Sequence, residues 1–415
     1  MPRILVAPHH FEIGGSQLTA LELAAEVARD AAHEVVLYAP DGALAERARA
    51  TGLELHLSNL RESAPSPGRI RELAALVERR GIDLVHAYEW APAVDAAYGA
   101  RALRGTPVLA TILSMDYPGF LPGAVPLILG TSALRERAIG EGRAAHLLEP
   151  SVDTRLFDAA AVPDAAVCAA RGEAGAAPGD VLITVIGRLA EQLKLEGLLT
   201  LIEACGRLAD AHQVRLAIVG DGSARARVAA AAQAANREAG REIVRLLGSR
   251  DDPRPHYLAA DIAVGMGSSA LRAMALGRPL LVQGERGFWR VADSTSLPGF
   301  LARGWFGEDA GSAAAADRCA SELARLIRMS PSERAGLGAW GRDLVVGRYG
   351  LTRAADVLRG LYADVLAAPR PSKRQRIAAS VGLARDIAAH RVAMRHPALQ
   401  ASFRRATGRS TAAVA

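Results

Sequence analysis

The chain has 415 residues, of which half are hydrophobic and few are aromatic. That length is enough for two or three domains with packed cores. No apolar run reaches the roughly 18–20 residues that a membrane-spanning helix needs, and no signal-peptide pattern precedes the first predicted strand. The sequence is therefore typical of a cytoplasmic protein. Its three cysteines lie far apart without metal-ligand spacing, which favours reduced, structural thiols.

The net charge of +6 is unevenly distributed along the chain. Residues 370–415 contain ten Lys or Arg and one acid, Asp386, so this tail carries +9 and the first 369 residues sum to 6 − 9 = −3. A mildly acidic body with a basic tail argues against a nucleic-acid-binding globule, and no nucleic-acid partner is expected.

In the first part of the chain, short β-like runs alternate with Ala-rich helical windows. Alternation of this kind predicts βαβ units and a parallel sheet covered on both faces. The predicted strands are RILVA (3–7), EVVLYA (34–39), LELHLS (53–58), IDLVHAY (82–88), PVLATIL (107–113) and PLILGT (126–131).

The pattern pauses at residues 158–180, which are rich in Ala, Pro and Gly and are predicted as a boundary or linker. It then resumes with strands DVLITVIGR (180–188), VRLAIVGDG (214–222), IVRLLG (243–248), DIAVG (261–265) and PLLVQG (279–284). The predicted fold class is α/β, with two tandem doubly wound, Rossmann-like parallel-sheet domains and a cleft that binds ligand at the carboxyl ends of the strands. The predicted bounds are 1–160 and 161–345 for the domains, 346–369 for a closing helix and 370–415 for a helical basic extension.

Four strand-to-helix turns have the composition of phosphate-binding turns. Glycine lets the backbone approach a ligand, and a helix start directs free N–H groups at an anion. Taken singly, each turn could also be a tight connection or a pair of solvated charges that binds no phosphate. Four together favour a ligand that carries phosphate. The residues are Gly14-Gly15-Ser16, then Gly187 and Arg188 with Lys194, then Gly220 and Gly222, and last Gly267-Ser268-Ser269, where both hydroxyls are further donors.

The tail contains apolar residues at roughly helical spacing among its basic residues, from Ile377 to Phe403. One interpretation is a basic amphipathic helix that touches an anionic membrane through residues 377–409, peripheral at its inner face. The other is a helix packed on the protein or a solubilising extension.

Several of these motifs resemble, in order and spacing, the GT-B glycosyltransferases, specifically glycosyltransferase family 4, the retaining enzymes that use nucleotide-sugar donors. The similarity runs from about residue 3 to residue 366. Besides the Gly-Gly turn, it is carried by EPSVDTRLF (149–157), GRLAEQLKLEGLLTLIEA (187–204), IVGDG (218–222), ALRAMALGRPLLV (270–282) and RYGLTRAADVLRGLYADVLA (348–367).

The resemblance implies roles for individual residues. Arg188 and Lys194 match the two cations that grip the donor diphosphate and stabilise the departing nucleotide. The turn at Gly14 and Gly15 matches one that packs against the phosphate and acceptor side. Donor-binding positions are also implied at Gly187, Gly222, Ser268, Ser269 and Ala270. Neither a metal ion nor an organic cofactor is expected.

The sequence also departs from the family pattern. Family members usually carry two glutamates eight positions apart; here the first has no counterpart and the second is replaced by Arg272, which cannot accept ribose hydroxyl protons. A frequent histidine after the PVLAT strand is missing, which leaves Asp116, the nearest ionisable side chain, as the catalytic candidate there. His9 and His10 are further candidates to meet the acceptor.

The predicted function is transfer of a sugar from a nucleotide diphosphate to an acceptor with retention of configuration. Two alternatives stay open: a catalytically impaired GT-B protein that serves as a partner, favoured by Arg272, and a nucleotide-sugar epimerase, disfavoured by the Val-Asp…Phe element. The sequence leaves the base, the sugar and the acceptor undetermined, the last being a small molecule, a lipid-linked molecule or a glycan.

Overall fold

The computed structural model describes residues 1–60, 64–114, 116–311 and 313–395. The chain forms two compact units. Unit 1 comprises Met1–Pro150 together with the chain from Leu351, and unit 2 comprises Ser151–Gly350. The first boundary therefore lies ten residues before the predicted position of 160, and the C-terminal segment returns to unit 1.

Unit 1 is built on a parallel sheet of order β3-β2-β1-β4-β5-β6-β7, whose direction of progression reverses between β1 and β4. Its central strands are fully buried, because helices cover both faces. The strands are β1 (Arg3–Ala7), β2 (Glu34–Pro40), β3 (Glu54–Ser58), β4 (Leu84–Tyr88), β5 (Val108–Ile112), β6 (Leu127–Leu129) and β7 (Ala145–Leu147). The helices before unit 2 are α1 (Gly15–Ala28), α2 (Ala45–Ala50), α3 (Pro67–Arg80), α4 (Trp90–Ala96), which continues as a π-helix over Ala97–Arg104, and α5 (Ser132–Gly140).

Unit 2 repeats this plan with a sheet of order β10-β9-β8-β11-β12-β13, which reverses between β8 and β11. All its strand pairs are parallel except β12 with β13. The strands are β8 (Val181–Ile186), β9 (Val214–Val219), β10 (Val244–Gly248), β11 (Ile262–Gly265), β12 (Leu280–Gln283) and β13 (Trp289–Val291). The helices are α6 (Asp164–Glu173), α7 (Leu195–Leu208), α8 (Arg225–Glu238), α9 (Arg254–Ala259), α10 (Ser268–Ala275), α11 (Leu297–Arg303), α12 (Ala315–Arg328) and α13 (Pro331–Arg348), and a single 3-10 turn covers Ala159–Ala161.

All eleven predicted strands are present, so the predicted fold class of two doubly wound parallel sheets is confirmed. Two edge strands, β7 and β13, were not predicted, because each has only three residues with a polar one, His146 or Arg290, at its centre and so lacks the apolar run that marks β6. The segment 158–180 is not a free linker: it contains α6, whose Ala170 is buried in unit 2. Its Ala-rich composition suits a helix as well as a loop.

The C-terminal helices pack on unit 1. Helix α14 (Leu351–Ala367) lies along α1, where Thr352 donates to Glu26 at 2.7 Å and Arg359 pairs with Asp30 at 2.7 Å. Helix α15 (Lys373–Arg395) buries Leu383 and Ile387 in the core of unit 1. The basic extension is therefore helical as predicted, and the interpretation in which it packs on the protein is confirmed for the described part. The predicted residues 396–409 lie outside the described residues.

Candidate donor site

A cavity in unit 2 lies where β8 and β11 end, at the point where the sheet order reverses. Open parallel sheets bind ligands at such switch points, because the loops on the two sides diverge there and leave a crevice. Gly187, Arg188, Lys194 and Ser269 were predicted as donor-binding residues from two separate turns, and the structure brings them together here. The lining residues are Val185, Ile186, Gly187, Arg188, Leu189, Lys194, Leu198, Ile218, Gly265, Ser269 and Gln283.

Close backbone packing fixes the wall of this cavity. A Cβ atom at Gly220 would lie 1.9 Å from the carbonyl oxygen of Gly187, and one at Gly222 would lie 2.4 Å from that of Leu189. Both glycines also have strongly positive φ, at 148° and 153°. These positions therefore exclude any side chain, and Gly222 shapes the loop after β8.

The two predicted cations differ in exposure. The Arg188 side chain is exposed, whereas Lys194, at the N-cap of α7, is partly buried. Burial, and second the charge of Arg188, lowers the pKa of Lys194 from its ordinary 10.5 to about 8. A diphosphate that paired with both cations would reverse this shift.

At the start of α10, the groups that could meet a ligand are backbone N–H groups more than side-chain hydroxyls. Helix α10 begins at Ser268 after Gly267, whose φ is 56°, and its first amides lie at the positive end of the helix dipole. Ser269 Oγ, however, donates to the carbonyl of Met266 at 2.9 Å and accepts from its N–H at 3.1 Å. The prediction that both hydroxyls are available to a ligand is therefore wrong for Ser269, since its own turn uses that oxygen.

Gln283 is a site residue that the sequence prediction missed. It ends β12, is 1% exposed and lines the cavity. Its Nε2 contacts the Met266 sulfur at 3.7 Å, and its Oε1 has no hydrogen-bond partner among the residues that the structure describes. A buried amide oxygen of this kind is costly without a donor, so it is available to a ligand. The signal in the sequence was a polar residue at the end of the apolar run PLLVQG.

Comparisons with known proteins agree with this geometry. Residues 180–314 match the family model of glycosyl transferases group 1, and residues 13–149 match that of glycosyltransferase family 4. The chain belongs to the family 4-like glycosyltransferases of GT-B fold. A search of curated protein sequences gives no match.

Solved structures with the same fold cover nearly the whole chain. A glycosyltransferase from Rickettsia africae ESF-5 has a TM-score of 0.70 at 13% identity, covering 89% of this chain and 99% of its own. HepE from Anabaena in complex with UDP-glucose has a TM-score of 0.67 at 16% identity, covering 88% and 100%. WaaG, a glycosyltransferase involved in lipopolysaccharide biosynthesis, has a TM-score of 0.60 at 17% identity, covering 86% and 99%. These structural similarities confirm that the chain has the GT-B fold.

Arg272 of this glycosyltransferase does not line the cavity with Arg188 and Lys194. Its guanidinium lies 5.2 Å from the ring centroid of Phe157, in the range of a cation–π contact. Phe157 is buried in the core of unit 2, so the aliphatic stem of Arg272 has an apolar support. The departure from the family glutamate is thus accommodated by packing.

In unit 1 of the glycosyltransferase, the predicted acceptor-side residues are spread over two loops. His9 and His10 follow β1 with ring centroids 4.9 Å apart, and burial, then His10 and Arg69, lowers the pKa of His9 to about 4. His9 is therefore neutral at physiological pH. Asp116, in the loop after β5, accepts from the N–H of Tyr117 at 2.8 Å and pairs with Arg137. Both contacts are made to the same oxygen of Asp116, Oδ1.

The Gly14-Gly15 turn starts α1 without a side-chain cap. The N–H of Leu18 donates to the carbonyl of Gly14 at 3.0 Å, so α1 begins directly after the turn. Among the described residues, no helix is long and apolar enough to cross a membrane, and no group of His, Cys, Asp or Glu has the geometry of a metal site.

Proposed function

We propose that this glycosyltransferase moves a hexose from a UDP-sugar to an acceptor with retention of anomeric configuration. The observation that carries the proposal is the cavity of unit 2, where Arg188 and Lys194 come together at the switch point of the sheet. Two cations in a partly buried cavity oppose the charge that develops on a departing nucleoside diphosphate, which is the main electrostatic demand of the reaction.

Retention is supported by what lines that cavity. An inverting transfer would need a carboxylate base, and a double displacement a carboxylate nucleophile, close to the anomeric carbon. Among the described residues lining the cavity there is no carboxylate. Attack on the same face as the departing diphosphate needs little from an enzyme base, because the diphosphate oxygen can take the acceptor proton. Neither a metal nor an organic cofactor belongs to this proposal, and activity in the presence of EDTA checks the first of these.

The choice of UDP is supported by the similar HepE fold, which was solved with UDP-glucose. We propose that Arg272, which lies outside the cavity lined by Arg188 and Lys194, meets a phosphate or a base carbonyl there, since a guanidinium only donates and cannot replace a carboxylate that accepts from ribose hydroxyls. On the acceptor side we propose His9, His10 and Asp116, for an acceptor that is a small molecule, a lipid-linked molecule or a glycan.

Calorimetric titration and thermal unfolding with UDP, GDP, dTDP and ADP test the donor assignment. We expect UDP to stabilise the fold selectively, by about 2.7 kcal/mol at a concentration of 100 Kd. The Arg272→Glu variant should bind UDP more weakly in the same titration; unchanged affinity would remove Arg272 from the site.

Incubation with UDP-glucose and candidate acceptors, followed by NMR of the anomeric proton, tests the reaction. A product with the donor's anomeric configuration is expected. Absence of any nucleotide binding would favour the catalytically impaired partner instead, and conversion of the UDP-sugar without an acceptor would favour the epimerase.

We further propose that the protein contacts an anionic membrane surface through α15. Three exposed aliphatic residues, Ile377, Val381 and Val392, are 55%, 64% and 54% exposed. At 100° per residue they fall within about 60° of the helix circumference. The opposite face holds the buried Leu383 and Ile387, so packing on unit 1 fixes the aliphatic face outward. Five exposed cations lie on or beside it: Lys373, Arg374, Arg385, Arg391 and Arg395.

Vesicle sedimentation of the full-length chain tests this contact. With equal parts of phosphatidylcholine and phosphatidylglycerol we expect sedimentation that high salt releases, and none with phosphatidylcholine alone. Val381→Asp should abolish it, whereas the matched control Ile139→Asp, at a 47% exposed aliphatic of α5, should not. Equal sedimentation of both variants, or none of the wild type, would exclude the membrane contact.

A further inference from the structure

Glu89 is a buried carboxylate that the proposed function does not use. It follows β4 directly, serves as the N-cap position of α4 and is 7% exposed. Its carboxylate accepts from Ser114 Oγ at 2.7 Å and from the N–H of Leu113 at 3.1 Å. The Ser16 side chain and the Ser114 N–H also lie near the carboxylate, where they lower its pKa. Donors from two separate loops thus converge on one side chain.

The backbone of Glu89 is strained. Its φ of 71° and ψ of 168° lie in a region that almost only glycine occupies, because a Cβ atom meets the neighbouring peptide there. The N–H of Glu89 donates to Thr111 at 2.8 Å and its carbonyl accepts from Ala93 at 3.2 Å, so both sides of the strained residue are held. A conformation this costly persists where the surrounding structure fixes it, and such residues cluster at functional sites.

The position of Glu89 coincides with the switch point of unit 1. The sheet order reverses between β1 and β4, and Glu89 lies at the carboxyl end of β4. Ser16 belongs to the Gly14-Gly15-Ser16 turn after β1, while Leu113 and Ser114 begin the loop after β5. The proposed function assigns the switch point of unit 2 to the donor, which leaves that of unit 1 for the acceptor.

We propose that Glu89 is a positioning residue for the acceptor: its carboxylate holds the Gly14-Gly15-Ser16 turn and the pair Leu113-Ser114 as the two rims of one crevice. Glu89 itself touches no substrate, because its oxygens are already occupied by hydroxyl and amide donors. Burial raises the pKa of this carboxyl, and the surrounding hydroxyl and amide donors oppose that rise.

The Glu89→Gln variant tests the inference with the backbone strain left in place. The amide brings N–H donors to face hydroxyl and amide donors, so the rims should separate. We expect kcat/KM for the acceptor to fall at least tenfold, with the Kd for UDP unchanged because UDP binds unit 2. Hydrogen exchange of residues 14–18 and 113–114 should accelerate together. Ser16→Ala and Ser114→Ala, which each remove one donor, should give smaller effects in the same direction.

Glu26→Gln is the matched control. Glu26 is a 5% exposed carboxylate of unit 1 that accepts from Thr352 at 2.7 Å, but it lies near the C-terminal end of α1, away from the turn that begins the helix. The Glu26→Gln variant should alter stability without changing kcat/KM for the acceptor or the hydrogen exchange of residues 14–18 and 113–114. The inference rests on the proposed transfer: a wild type without transfer contradicts that function, whereas unaltered exchange at both rims in Glu89→Gln overturns the role of Glu89 whether or not transfer is found.

Discussion

Replacing Lys194 with methionine is expected to abolish sugar transfer and, at the same time, to stabilise the unliganded protein. Burial in the folded state lowers the pKa of Lys194 from 10.5 to about 8. Below pH 8 the ammonium is charged in both the folded and the unfolded chain, and its burial therefore destabilises the folded protein by at most about 3 kcal/mol. Methionine has a similar length and no charge. Urea unfolding at pH 7 should therefore give a larger free energy of unfolding, while UDP binding and turnover are lost.

The same shift predicts how stability depends on pH. Between about 8 and 10.5 the unfolded chain binds more protons at this site than the folded protein, so the wild-type stability should rise with pH across that window and the variant's should not. Lys373, the chain's other lysine, is exposed, so Lys373→Met serves as the control.

Arg188→Ala should also reduce transfer strongly. Near-normal turnover in both Arg188→Ala and Lys194→Met would refute the donor site.

Acidification is expected to unfold unit 1 through His86. This residue is fully buried, and its two ring nitrogens lie 2.7 Å from the hydroxyls of Tyr362 and Thr111. Burial lowers its pKa from 6.5 to about 3. Below pH 6.5 His86 is protonated in the unfolded chain but stays neutral in the folded protein. The free energy of unfolding therefore falls as the pH drops toward 3, by up to about 5 kcal/mol. That is comparable with the total stability of an ordinary domain.

Urea unfolding measured from pH 7 to pH 4 checks this expectation. His86→Gln keeps hydrogen-bonding atoms at the site and does not titrate, so its stability should depend less steeply on pH over that range. His212→Gln, at a partly exposed histidine of unit 2, is the control and should leave the slope unchanged. An identical pH dependence in wild type and His86→Gln would show that other groups cause the acid unfolding.

The strands were predictable because their signal is local. Buried parallel strands are continuous apolar runs, and eleven of them were identified with ends within three residues of those observed. Ser330 was likewise predictable as a helix start: it forms a capping box with Glu333 and is followed by Pro331. The short edge strands β7 and β13 escaped because pairing with a neighbour, rather than their own sequence, makes them strands.

For the donor cavity, the sequence by itself determined the glycine-rich turns and the cations Arg188 and Lys194, because each lies next to an apolar run in the chain. It could not determine that Ser269 Oγ forms hydrogen bonds within its own turn, or that Gln283 lines the cavity from another strand. Those outcomes depend on distances between elements far apart in sequence.

Glu89 and α15 show the same limit more sharply. In the sequence, Glu89 is one acid after a strand; its strained backbone and converging donors exist only once β1, β4 and β5 are paired. The composition of the tail predicts a basic helix, but either side of an amphipathic helix can face a core. Only packing against unit 1 decided that Leu383 and Ile387 are buried and that Ile377 and Val381 remain exposed. Local patterns specify elements, whereas burial and hydrogen-bond partners are set by the tertiary neighbours that those elements meet.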